Sequence, residues 1–187
     1  MQKLSRRSTV LTGGAVLAAV AAGTVGAVSA NASAPAAPAA ATATAAAAAK
    51  GSTTTTTTHL TLASATKAAE AALDAAKKEN QKVSVAVVDR DGNTILTLRG
   101  DGAGPQAYEA AQKKAFTAVS WNAPTSELVK RLDKAPTLKD IPGTLFLGGG
   151  APVAAGGAPI AGVGVAGAPS GDLDEKFARA GVDALGK

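Results

Sequence analysis

The chain carries few side chains suited to catalysis or metal binding, and their types limit the kinds of functional site that it can form. Its 187 residues include no cysteine and one histidine, His59, which follows a run of threonines. Without cysteine or a second histidine, a zinc site is not expected, and neither is a Ser-His-Asp triad. Carboxylates remain as the main candidates for ligand chemistry.

The carboxylates form groups along the sequence. Oxygen ligands suit hard cations such as ferric iron or calcium. Taken singly, each group is better explained as solvated surface acids or helix caps. The groups are Glu70 with Asp74, then Asp89, Asp91 and Asp101, and finally Asp172, Asp174 and Glu175.

A second candidate surface lies on the helix predicted after Pro105. Tyr108, Ala111, Ala115 and Val119 recur at spacings of three and four, which predicts its buried stripe. Lys113, Lys114 and Thr117 lie off that stripe, and Lys113 and Thr117 face the same way. The simplest interpretation is a solvated face; the alternative is an oligomer or ligand surface whose lysines meet acidic groups.

These residues must be positioned by a small set of elements. Strands are predicted over 83–88 and 94–98, joined by a turn at Asp91-Gly92-Asn93. On the last strand, Gly162, Gly164 and Ala166 share one face, which favours a closely packed helix over a ligand platform. The other predicted elements are helices over 61–80, 105–121 and 125–132, strands over 144–147, 151–154 and 159–165, and a last helix opened by Asp172 with Glu175 as its capping-box partner.

The order αββααβββα, with short links between strands, predicts an α+β fold. We expect an antiparallel sheet of about five strands with helices on its faces.

The N-terminal part has the composition of an export signal and a tether. Residues 1–34 begin with Lys3, Arg6 and Arg7 in a twin-arginine pattern, followed by a weakly apolar segment and small residues. Residues 35–59 are mostly Ala, Pro and Thr and have too few large side chains to form a core. We therefore expect one domain over residues 60–187 in a secreted, extracellular protein.

The charge does not indicate nucleic-acid binding. Loss of the three basic residues of the signal would lower the formal net charge from +5 to +2. The remaining lysines are scattered and aromatic residues are few, so neither a basic groove nor a stacking surface is expected.

Two long runs of the sequence are informative together: VAVVDRDGNTILTLRGDGAGPQAYEAAQKKAFTAVSW and LFLGGGAPVAAGGAPIAGVGVAGAPSGDLDEKFARAG. They resemble a known family, the GlcG/HbpS-like haem-binding (haem-degrading) proteins. Together with the export signal, they are most similar to the family's secreted branch. The resemblance implies a profilin-like, GlcG-like fold and a homo-oligomer, with an octamer as the candidate assembly. It also implies extracellular binding of haem and an iron ion, and a membrane sensor histidine kinase as partner through its extracellular domain.

The resemblance also assigns site residues. Thr117, in the segment KKAFTA, is similar to the family's haem-contacting threonine, and Lys113 lies one turn before it. Tyr108 and His59 offer stronger ligand chemistry than a hydroxyl group. An iron site on the first helix would have Glu70 and Asp74 as its nearest candidates.

Three functions follow as hypotheses. The first is a non-enzymatic protein that buffers haem or signals haem and redox stress to a sensor kinase. The second is a haem-degrading enzyme, against which the absence of a histidine in the domain core argues. The third is an oligomeric interaction module without haem.

Overall fold

The computed structural model describes residues 47–186, and those from Ala49 onward form one compact unit. The predicted export signal and the first part of the predicted tether lie outside the described residues. None of the helices within 47–186 is long and apolar enough to cross a membrane. The elements are α1 (Leu62–Lys78), β1 (Ser84–Asp89), β2 (Thr94–Arg99), α2 (Pro105–Trp121), α3 (Thr125–Val129), β3 (Gly150–Ala155), β4 (Ala158–Ala166) and α4 (Gly171–Asp183).

The strands form a four-stranded antiparallel sheet in the order β2-β1-β4-β3. The α+β class is confirmed, whereas the fifth strand, predicted over 144–147, does not form. In that segment Leu145 donates its N–H to the hydroxyl of Thr117 instead of to a strand. The Thr144 hydroxyl donates to the carbonyl of Ile141, which closes a local turn. Local and side-chain hydrogen bonds therefore satisfy polar groups of this segment that pairing with a neighbouring strand would otherwise satisfy.

Each face of the sheet is covered by helices. Val85 and Val87 point towards α1 and α4, where they join Phe177 in the larger core cluster. Ala86 and Val88 point the other way and pack against α2. Because successive strand residues alternate between faces, the middle of β1, residues 85–88, is apolar on both faces, as expected of a central strand covered on both sides.

The contact between α2 and β4 is unusually close, because β4 presents glycine there. A Cβ atom on Gly164 would collide with the backbone carbonyl oxygen of Ala111, and one on Gly162 with that of Ala115. The prediction that this smooth face packs against a helix is confirmed. The opposite face of β4 carries Ala161, Val163 and Val165, as predicted.

The start of α4 differs from the prediction. Ser170, not Asp172, is the N-cap, and its hydroxyl oxygen accepts the N–H of Leu173. Glu175 is buried and bonds to Ser126 rather than closing a capping box. A serine two residues before the aspartate provides the same cap chemistry, so the helix begins two residues earlier than a cap at Asp172 predicts.

Candidate functional site

A groove of about 260 Å³ lies between the β1–β2 hairpin and α2. The ring of Phe116 packs against Gly92 at the tip of the hairpin, where φ is +88° and an added Cβ would lie 2.8 Å from the ring. Glycine is required there both for the turn and for the close contact. The groove is lined by Val88, Gly92, Thr94, Gln112, Lys113, Phe116 and Gly143.

Lys113 contributes a cation to the rim of this groove. Its Nζ atom lies 2.7 Å from Oε1 of Glu109 one turn earlier, and both side chains are well exposed. The hydrogen bond and the charge of Lys113 lower the pKa of Glu109. An exposed pair of this kind is weakly held, so the ammonium group is available to an anionic ligand.

Thr117 lies beneath the surface. It is fully buried; its hydroxyl donates to the carbonyl of Lys113 at 2.7 Å and accepts the N–H of Leu145 at 2.8 Å. The sequence predicted that Lys113 and Thr117 face the same way; the bond between them runs to the backbone of Lys113, and only the Lys113 side chain reaches solvent. In this conformation the hydroxyl joins α2 to the segment before β3. It can contact a ligand only if that segment moves.

Two side chains with stronger ligand chemistry flank the groove. Tyr108 lies one turn before Gln112 on α2 and is 42% exposed, so it does not belong to the buried stripe predicted for it; Ala107 is buried instead. His59 lies near the other end, where its Nε2 atom is 3.6 Å from Oδ2 of Asp91, the residue before Gly92.

The acids predicted for iron lie on the surface of the first helix. Glu70 and Asp74 are exposed on α1, and Asp74 pairs with Lys77 at 3.8 Å. Within residues 47–186, the group of three or more candidate metal ligands consists of His59, Asp89 and Asp91.

Sequence reasoning missed a buried ion pair. Lys114 is 1% exposed, although it was predicted on a solvated face; its Nζ atom donates to Oδ2 of Asp174 at 2.7 Å and to the carbonyl of Val165 at 3.1 Å. Burial raises the pKa of Asp174 and outweighs the hydrogen bonds and charge of Lys114. The pair borders a cavity of about 210 Å³. Its sequence signal was weak, because a Lys-Lys pair on a helix is ordinarily solvated.

Glu175, beside this pair, organises a second polar contact. Its carboxylate accepts the N–H of Ser126 at 2.9 Å, the hydroxyl of Ser126 at 2.8 Å and a guanidinium N–H of Arg179 at 2.8 Å. Burial alone would raise the pKa of Glu175, but these donors together lower it. The carboxylate thereby holds α3 against α4.

A comparison with family profiles matches residues 60–183 to the family described as haem degrading protein HbpS-like. The chain belongs to this HbpS-like family. The resemblance inferred from the two sequence runs is therefore confirmed. A comparison with curated proteins gives no match.

Solved structures agree with this assignment. The chain is 71% identical to HbpS of Streptomyces reticuli, solved as a double mutant in which two glutamates are changed to aspartate; the match has a TM-score of 0.76 and covers 78% of this chain and 99% of that one. The Klebsiella pneumoniae protein ORFY is 29% identical over 72% of this chain and 95% of its own, with a TM-score of 0.68. A PduOC structure, solved as a complex with haem, is 26% identical over 68% of this chain and 95% of its own, with a TM-score of 0.62.

The groove residues, together with the two side chains that flank the groove, fit haem as an open surface site. Phe116 supplies an apolar face, Lys113 a cation for propionates, and Tyr108 and His59 an oxygen and a nitrogen ligand for iron. The groove is smaller than the roughly 300–1,000 Å³ pockets that enclose drug-sized ligands. Haem bound there would remain partly exposed unless a second surface covered it.

Proposed function

We propose that this HbpS-like protein binds haem outside the cell and either buffers it or signals its presence to a membrane sensor kinase. Membership of the family and the haem complex of a relative support haem as the ligand. The observation that carries the proposal is the groove between the hairpin and α2, which is lined by the ring of Phe116 and the cation of Lys113. His59 lies beside Asp91 at one end of it, and Tyr108 lies one turn before Gln112 towards the other.

The haem site would use this chain's residues in distinct roles. Lys113 would bind a propionate, Phe116 would contact the macrocycle, and His59 or Tyr108 would coordinate iron. Thr117, proposed from the family resemblance, would act from below by fixing the Lys113 carbonyl, or contact haem after the Leu145 segment moves. Haem bound there would supply a redox-active iron.

A Soret titration separates these roles. The chain lacking residues 1–34 is titrated with haem beside Lys113→Met, Thr117→Val, His59→Ala and Tyr108→Phe variants. We expect saturation near one haem per chain. Lys113→Met should weaken affinity with an unchanged Soret position, because the propionate contact does not touch iron. Loss of the iron ligand should move the Soret band itself.

A haem-degrading enzyme is the second candidate, favoured by the family's description as haem degrading. Turnover requires an electron donor, so the haem complex is incubated with ascorbate under air. A Soret band that decays with release of iron over several turnovers would establish the enzyme. A stable band would leave binding and signalling as the function.

Export, self-association and signalling form the rest of the proposal. An Arg6→Lys, Arg7→Lys double variant should remain in the cell if the twin-arginine pattern directs export. Exposed apolar side chains support a homo-oligomer, and they are Leu62, Tyr108, Ile141 and Leu147. The family resemblance gives an octamer as the candidate assembly, and light scattering would test it. Haem-dependent binding to the extracellular domain of a sensor kinase would establish the partner, and the absence of binding would leave a buffer.

A further inference from the structure

His59, Asp89 and Asp91 bring a nitrogen and two carboxylates together at the tip of the β1–β2 hairpin. One ligand atom from each residue lies within 4.8 Å of the other two. We propose that this cluster binds a divalent first-row transition-metal ion, separately from haem. The proposal does not rest on the haem function.

The spacing of the ligand atoms is compatible with a shared ion. Ligand atoms bind such ions at about 2.0–2.2 Å, so two ligands of one ion lie at most roughly 4.2 Å apart. His59 Nε2 and Asp91 Oδ2, at 3.6 Å, already meet that limit. Any wider separation exceeds that limit by at most roughly 0.6 Å, which rotation of the exposed His59 and Asp91 side chains can supply.

His59 is fixed near the hairpin although it lies far from Asp91 in sequence. The next residue, Leu60, packs against the core, and Thr61 is the N-cap of α1, where its hydroxyl oxygen accepts the N–H of Ser64. The imidazole is also hydrogen-bonded to the Thr57 hydroxyl through Nε2, at 2.7 Å. The folded domain therefore sets the position of the histidine, and a metal at Nε2 would replace the contact with Thr57.

Asp89 is oriented by the turn while keeping an oxygen for the ion. Its Oδ1 atom accepts the backbone N–H groups of Asp91 at 2.9 Å and Asn93 at 2.8 Å. Its Oδ2 atom accepts one long hydrogen bond, from the side-chain amide of Asn93 at 3.3 Å. Donors that hold a carboxylate in place commonly support metal binding, because they reduce the ordering that the ion must impose.

The donor set indicates the class of ion. Imidazole nitrogen suits zinc, copper, iron and nickel, whereas magnesium and calcium prefer oxygen alone. Three protein ligands at an exposed turn leave coordination positions for water. The cluster thus predicts a labile ion site that discriminates against calcium through one nitrogen.

Zinc is the probe for the test. The haem-free, full-length chain is titrated with Zn²⁺ by calorimetry, beside His59→Ala, Asp91→Asn and the control Asp101→Asn, which alters an exposed acid outside the cluster. We expect one Zn²⁺ per chain, at least a tenfold weaker Kd in each ligand variant, and no change in the control. Calcium at a hundredfold excess should not displace zinc.

Each contrary result overturns the proposal. The site is excluded if the unaltered chain does not bind zinc, or if the two ligand variants bind zinc as tightly as the unaltered chain. Displacement of zinc by calcium excludes the assigned ion class. Asp91→Asn also separates this site from haem, because it removes a zinc ligand and leaves the imidazole in place. If Asp91→Asn loses zinc binding and still binds haem, the chain binds the two ligands separately. If the unaltered chain binds zinc but not haem, only the haem function is refuted.

Discussion

Lys114 and Asp174 form an ion pair in the interior, with 2.7 Å between Nζ and Oδ2. The same ammonium group donates to the carbonyl of Val165, and Oδ1 of Asp174 accepts the N–H of Ala168. The pair thus links α2 to α4. It also ties both helices to the end of β4 at Val165 and to the loop that follows β4 at Ala168. Glycine at position 149 makes room for it, since a Cβ there would lie 2.7 Å from Nζ.

Breaking this pair should be strongly destabilising. A Lys114→Met variant leaves the carboxylate of Asp174 buried without its cation, and we expect a loss of about 3–5 kcal/mol in the free energy of unfolding. Adding Asp174→Leu removes the stranded charge and should recover part of that loss. Urea unfolding of the two single variants and the double variant measures the coupling. Additive losses would show that the two groups do not depend on each other.

Glu175 should make stability depend on pH in a defined direction. Its pKa is lowered from 4.5 in the folded state, so its contribution is full above that value and is lost as pH falls through the folded-state pKa. Glu175→Gln should cost about 1.5–3 kcal/mol at neutral pH, because three donors face a charged acceptor. The difference from the unaltered protein should shrink below pH 4.5.

The matched control for this effect is Glu127→Gln, which changes an exposed glutamate and should cost about 0.5 kcal/mol or less. Unfolding curves collected from pH 3 to 7 measure both variants. A Glu175→Gln penalty that stays constant over this range would contradict the role of the ionised carboxylate.

The glycine face of β4 should not accept a methyl group. Gly164→Ala places a Cβ against the carbonyl of Ala111, and α2 must move to relieve the collision. We expect a loss of about 1–3 kcal/mol, as for other overpacked interiors. Gly51→Ala is the control, because nothing lies within 4 Å of its added Cβ. Equal melting temperatures for the two variants would refute the close packing.

The order of elements was largely predictable because hydrophobic period and turn residues are local. The hairpin at Gly92, the start of α2 at Pro105 and the smooth face at Gly162 and Gly164 all follow from such signals. The segment from Thr144 to Leu147 was wrongly predicted as a strand. Its apolar residues suit a strand, but the backbone N–H of Leu145 is hydrogen-bonded to the side chain of Thr117. No local sequence pattern can indicate that contact.

The site was less predictable because it depends on contacts between distant segments. Lys114 was placed in solvent, since only the fold shows that Asp174, far along the chain, neutralises it. The exclusion of a zinc site from the sequence counted His and Cys alone, whereas the fold sets His59 beside Asp89 and Asp91. The haem-site residues remain predictions: Thr117 is buried, and Tyr108 and His59 are exposed near the groove.

The most direct test of the central claim is a Soret titration with haem of the chain lacking residues 1–34. Lys113→Met is measured beside it, with Lys77→Met as a control that removes an exposed lysine from α1. We predict saturation near one haem per chain, weaker affinity in Lys113→Met and unchanged affinity in the control. No Soret change in the unaltered chain would contradict haem binding, and equal affinities in all three proteins would contradict the groove as its site.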